Sequence, residues 1–269
     1  MALAAAGASL SPPEARLLCL QPPQGATTLA RSVKPPSSAI RGCLDEVRGR
    51  IARAAERAGR DPRSVLLVGV VKTVPEDLIR EAVALGLEDL GESRVQEAEA
   101  HAGAVGREAA RWHMVGHLQR NKAGRAVELF DRVHGVDTVE LAAALSRRAV
   151  AAGRRLRVLV EVNVSGEATK FGAAPDTLMG LVERVAALPG LALDGLMTVG
   201  APVGTVEEAR PGFARLRALR DECERALGLR LPELSMGMSG DFEVAVEEGA
   251  TLVRVGSALF GERSSPGRD

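Results

Sequence analysis

Tyrosine is absent from the 269 residues and aromatic side chains make up only 2% of them, so no mechanism that needs a phenol as acid or base is open to this chain. Cysteine is scarce as well. Cys19, Cys43 and Cys223 are odd in number, widely spaced and free of any CxxC pattern, which argues against a disulfide framework or a zinc site and suits a reducing, cytoplasmic setting. Net charge is lacking too: 35 Lys and Arg stand against 35 Asp and Glu, so no overall field draws the chain to nucleic acid or an anionic membrane. The longest apolar runs, such as residues 65–71, fall far short of the roughly 20 residues that span a bilayer. A soluble, monomeric protein with a small ligand is the expectation.

What is present is length, aliphatic content and alternation. At 269 residues and 46% hydrophobic composition the chain can bury a full core, and α/β barrels of about 250 residues are commonly one domain. Residues 1–38 are rich in Ala, Ser and Pro, acid-poor and without sustained period, and read as a disordered extension. An organelle transit peptide is the alternative reading of that stretch. From Ala39 an amphipathic helix sets Ile40, Leu44, Val47 and Ile51 at helical spacing and stops near Gly59. Strand-like runs follow at 65–71, 87–91, 112–116, 132–136, 156–164, 193–199, 233–238 and 251–256. Helical stretches such as 75–85, 139–152, 175–188 and 206–227 separate them. Several strands are near-continuous aliphatic runs, as strands buried on both faces of a parallel sheet are. Eight such units predict a single (β/α)8 TIM barrel over 39–263, with a short tail at 264–269. A doubly wound open sheet is the runner-up, but no GxGxxG follows the first strand.

In a barrel the functional groups sit where strands end at their C-terminal side. Lys72 directly follows the first aliphatic run, and Pro75 opens the next helix. Desolvation against apolar walls would favour its neutral amine, the form that attacks an aldehyde to give a Schiff base. A solvated loop lysine is the plainer alternative. At the other end, Ser239 after the seventh strand and Gly256 and Ser257 after the eighth suit a phosphate cup, since the loops after those strands are the usual phosphate site of such barrels. Each serine taken singly is equally an ordinary helix cap. Arg254 would neutralise a phosphate or lie beside a cofactor ring. His113 and His117 mimic a metal pair, but they span a strand and a turn and lack a third ligand, so a structural or pocket-lining role is expected. Met197, Met236 and Met238 are expected as apolar lining, and Lys170 as a solvated loop residue or a rival anion site.

Six segments, in order, carry a resemblance. They are Val71-Lys72-Thr73, Gly91-Glu92-Ser93-Arg94-Val95-Gln96-Glu97, the run from Trp112 to Lys122, Gly195-Leu196-Met197-Thr198, Met236-Gly237-Met238-Ser239, and the run from Val253 to Gly261. Together they resemble the pyridoxal phosphate homeostasis proteins, single-domain barrels like the N-terminal domain of alanine racemase. The resemblance implies an internal aldimine on Lys72 and a phosphate surrounded by Ser239, Arg254, Gly256 and Ser257. It also implies Ser93 and Met197 at the cofactor, and a protein that stores, buffers or delivers pyridoxal 5'-phosphate, with apo-enzymes as recipients. Two motifs depart from the family: Val71 stands where Ser is usual before the lysine, and Ser93-Arg94 where Asn-Tyr is usual. The competing function is a pyridoxal phosphate racemase or decarboxylase, and a barrel enzyme acting on a phosphorylated metabolite is a third. Against the racemase, no tyrosine is available as second proton-transfer group, and no C-terminal β domain is expected after the eighth strand.

Overall fold

The chain folds as a closed ring of eight parallel strands, because its strands are buried on both faces and the helices that follow them cover the outer one. The structure, a computed structural model, describes residues 37–167, 170–200 and 204–261. The expectations for residues 1–36 and 264–269 lie outside the described residues. In chain order the elements are α1 Ser37–Arg57, β1 Leu66–Val70, α2 Glu76–Ala84, β2 Asp89–Glu92, α3 Val95–Val105, β3 Arg111–Met114, α4 Ala123–Leu129, β4 Arg132–Val136, α5 Val139–Ala151, β5 Leu156–Glu161, α6 Leu178–Ala186, β6 Leu191–Met197, α7 Arg210–Leu227, β7 Glu233–Ser235, α8 Phe242–Glu247, β8 Leu252–Val255 and α9 Ser257–Phe260. Each strand pairs with the next, and β8 returns to β1 with Val68 opposite Arg254.

All eight expected strands are present, most of them shorter than the aliphatic runs suggest. β5 ends at Glu161 rather than at 164 because the Asn163 side chain accepts from the Gly166 amide at 3.0 Å and turns the chain out of the sheet. β7 ends at Ser235 rather than at 238 because Gly237, at φ 91°, takes a left-handed turn packed on Phe242 and Ala245. The first helix begins at Ser37 and buries Ile40, Leu44, Val47 and Ile51. It is fixed over α8 by Arg50, which donates to Glu243 at 2.8 Å with its guanidinium 4.6 Å above the Phe242 ring.

Two faces alternate along every strand. Leu90, Trp112 and Met114 are buried on the helix side, as is Glu92, whose carboxylate meets His101 of α3 at 2.6 Å. Asp89, His113, His134, Ser235 and Arg254 carry the opposite parity and bond to one another across the barrel interior. The interior is therefore polar along much of its length, which the aliphatic runs do not announce.

Candidate functional site

β1 delivers Lys72 to the mouth of the barrel. The Val71 amide continues the ladder by donating to the Gly91 carbonyl at 3.0 Å, so the period of two puts Val68, Val70 and Lys72 on the interior face. Thr73 then breaks the strand at φ 60°, the sole non-glycine positive φ among the described residues. A β-branched residue in that region is strained, and such strain persists where surrounding structure imposes it. Lys72 is half-buried and has no hydrogen bond or ion pair among the described residues.

The loops after β7 and β8 meet beside it. Ser239 Oγ accepts from the Gly256 amide at 3.1 Å and the Ala258 amide at 3.3 Å, so this serine caps α9 from a neighbouring unit and not its own helix. Gly256 abuts the strand of Lys72: a Cβ there would lie 3.4 Å from the Val70 carbonyl. The amides of Ser239, Gly240 and Ser257 have no acceptor among the described residues, and the Asp241 carboxylate holds the turn by accepting from Met238 N–H at 2.6 Å. Ser257 itself is exposed.

Arg254 lies deeper. It is buried, donating through Nη1 to Ser235 Oγ at 2.6 Å and through Nη2 to the Thr198 carbonyl at 2.9 Å. Neither bond goes to the loops that carry Ser239 and Ser257. Burial lowers its pKa to about 10, against the pull of Glu161 and Asp241, so it stays charged at neutral pH. Glu161, at the end of β5, is the counterpart that sequence reasoning missed. Burial and then the Asp137 carboxylate raise it to about 7, while Arg254 pulls it down. Its one sequence signal is the sole carboxylate of a mostly aliphatic strand.

The remaining expected residues are distributed around this centre. Ser93 is half-buried after β2, its amide folded back on Glu92 Oε2 at 3.2 Å. Met197 is buried and pairs in register with Glu161 and Ser235. Met236 is buried but Met238 is exposed, so only part of the methionine set lines anything. Lys170 is paired with Glu167 at 2.9 Å. His117 and His113 point to different places: His117 stacks on Phe171 at 3.8 Å between ring centroids and faces Asp137 at 3.5 Å, whereas His113 is bonded to Asp89 and His134 inside the barrel. The Phe171 stack, which closes the loop after β5 onto that after β3, was not readable from sequence because residues 54 positions apart meet only in the closed ring.

Known proteins share this fold. The family described as alanine racemase, N-terminal domain, matches residues 43–264. Pyridoxal phosphate homeostasis proteins of Aquifex aeolicus and Pseudomonas aeruginosa are each 45% identical to this chain, over 82% and 84% of it and 96% of their own length. Among solved structures, PipY of Synechococcus elongatus with PLP bound superposes with a TM-score of 0.73 at 39% identity, covering 82% of this chain and all of PipY. An alanine racemase of Clostridium difficile shares the barrel alone, at 17% identity and a TM-score of 0.65. With closely related homeostasis proteins matched over nearly their whole length, and a lysine, an amide-rich loop pair and a buried arginine at one barrel mouth, the chain belongs to the pyridoxal phosphate homeostasis protein family.

Proposed function

We propose that this protein binds pyridoxal 5'-phosphate at the barrel mouth, covalently through Lys72, and stores, buffers or delivers it to apo-enzymes without turnover of its own. The observation that carries the reading is the juxtaposition of an unpaired, half-buried Lys72 with the amide-rich loops of Ser239, Gly256 and Ser257 on the adjacent strand. A cofactor that brings an aldehyde and a dianionic phosphate supplies an electrophile for a primary amine and an anion for amide donors. Lys72 provides the amine. The Ser239, Gly240 and Ser257 amides and the Ser239 hydroxyl provide the donors. Arg254, held on the β6 and β7 side, fits a position against the ring rather than the phosphate, and Met197 and Ser93 complete the walls. The bound cofactor in PipY and the name of the curated relatives support the same assignment.

A carrier is favoured over an enzyme because no tyrosine exists to act as a second proton-transfer group. His113 does not substitute: both its ring nitrogens are engaged, by Asp89 and by His134. A cytoplasmic, monomeric protein is part of the proposal; among the described residues no helix is long and apolar enough to cross a membrane. The test is purification of the wild type and of Lys72→Ala. The wild type is expected to be yellow, and the variant to lose the visible band while retaining weak, non-covalent uptake. A variant that keeps the band, with the adduct on Lys122 or Lys170, would overturn Lys72 as the attachment point.

A further inference from the structure

Asp89 of β2, His113 of β3, His134 of β4, Ser235 of β7 and Arg254 of β8 form an unbroken buried chain of hydrogen bonds through the barrel interior. At the far end, Arg111 clamps Asp89 with bonds of 2.8 and 2.6 Å and itself lines an open cleft of about 320 Å³ beside α1 and Pro62. At the near end stands Arg254, under the site at the mouth.

With both imidazoles neutral, as burial favours, the Asp89 end dictates the direction of every bond in the chain. A guanidinium can only donate and a carboxylate can only accept. Arg254 Nη1 donates to Ser235 Oγ at 2.6 Å, and a neutral His134 that donates through Nε2 accepts the Ser235 proton at Nδ1, 2.8 Å away. Asp89 Oδ1 accepts from His113 Nε2 at 2.9 Å, so His113 Nδ1 accepts from His134 Nε2, also at 2.9 Å. One arrangement satisfies all of these groups: both imidazoles neutral, both protonated on Nε2. Reversing it would require a proton on Asp89 or a doubly protonated His113. Burial favours a protonated carboxyl, but the His113 and Arg111 hydrogen bonds outweigh it and hold Asp89 below the usual range. Burial also keeps His113 below its ordinary value, opposed by Asp89 and Asp131 and aided by Arg132. His134 is held well below its own by burial and then by His113, Arg254 and Arg132.

We propose that Asp89, His113, His134 and Ser235 are a one-way positioning relay that presents Ser235 as a fixed acceptor and so locks the charged Arg254 guanidinium in place beneath the cofactor site. The inference rests on the reading of the mouth as a pyridoxal phosphate site. None of the four residues need touch the ligand. Each acts through the next, so a change at Asp89, on the far side of the barrel interior, is read at the mouth as a change in how Arg254 meets the ring.

Two measurements decide it. In the cofactor-free wild type near neutral pH, ¹⁵N NMR of the imidazoles is expected to show His113 and His134 as neutral Nε2–H tautomers. An Nδ1–H ring or a doubly protonated ring at either position overturns the relay. Asp89→Asn and Ser235→Ala, loaded with pyridoxal phosphate, are expected to shift the visible band and to weaken the cofactor about three- to tenfold. Val158→Ala, a core change in β5 that lowers the melting temperature, is expected to leave the band where it is. Unchanged band and affinity in both relay variants would overturn the proposal. If the wild type takes up no cofactor, the site reading falls, and the histidine tautomers still decide the relay on their own.

Discussion

Glu161 and Arg254 are the residues through which pH and ligand chemistry should act most visibly. The Glu161 carboxyl is raised in the folded protein to about 7 from an ordinary 4.5, chiefly by burial. The folded state therefore binds more protons than the unfolded one between those values, and stability falls as pH rises from about 4.5 through 7. With 1.36 kcal/mol per unit, the full loss is about 3 kcal/mol. Glu161→Gln of the cofactor-free protein should be the more stable of the two at pH 8 and should lack most of this dependence, as thermal melts at several pH values would show. A wild type whose stability is flat or rising across that window contradicts the assignment. For Arg254, the bonds to Ser235 and the Thr198 carbonyl favour the ring-side alternative. Arg254→Ala should then weaken pyridoxal phosphate and unphosphorylated pyridoxal alike, by roughly ten- to a hundredfold for a buried charged donor. Selective loss of the phosphorylated form in a binding titration would return Arg254 to the phosphate.

At the scale of elements, the loops that shape the mouth depend on close backbone approach. A Cβ on Gly116 would lie 2.6 Å from the Ser93 carbonyl and 2.9 Å from its Cα, so Gly116→Ala must push the loop after β3 away from the loop after β2. A destabilisation of about 1–3 kcal/mol is expected by urea unfolding, together with weaker cofactor retention because Ser93 moves. An unaltered midpoint would mean that the two loops part without cost. In the outer helix layer, Leu44 anchors α1 beside α8 and α9, and Leu44→Ala should destabilise by about 2–5 kcal/mol in the same assay. Elements of this kind were the legible part of the sequence. The period of α1, all eight strands and the order of units follow from aliphatic runs and helical spacing, while the strand ends do not. β5 and β7 stop early because the Asn163 turn and the Gly237 turn override favourable β-formers. Of the site, Lys72 and the Ser239 and Gly256 loops were readable because barrel strands present function at their ends. The Asp89 to Arg254 chain was not. Its members lie within runs of hydrophobic residues, and their partners come from strands as far as 101 positions away.

As a whole molecule, the barrel is proposed to bind and release a reactive aldehyde, with no tyrosine to serve as the second acid or base of amino-acid chemistry. Holo-protein incubated with L-alanine, L-lysine or L-ornithine should give no racemised product and no amine above background. Turnover at an ordinary enzymatic rate, about 1–1,000 per second, that disappears in Lys72→Ala would instead make it an enzyme. All of this depends on cofactor being attached at one lysine among several near the mouth-side loops. The most direct measurement is peptide mapping by mass spectrometry of the cofactor-loaded protein after borohydride reduction. The account predicts a single phosphopyridoxyl adduct on the peptide that carries Lys72, and an unmodified chain or an adduct at Lys122 or Lys170 would contradict it.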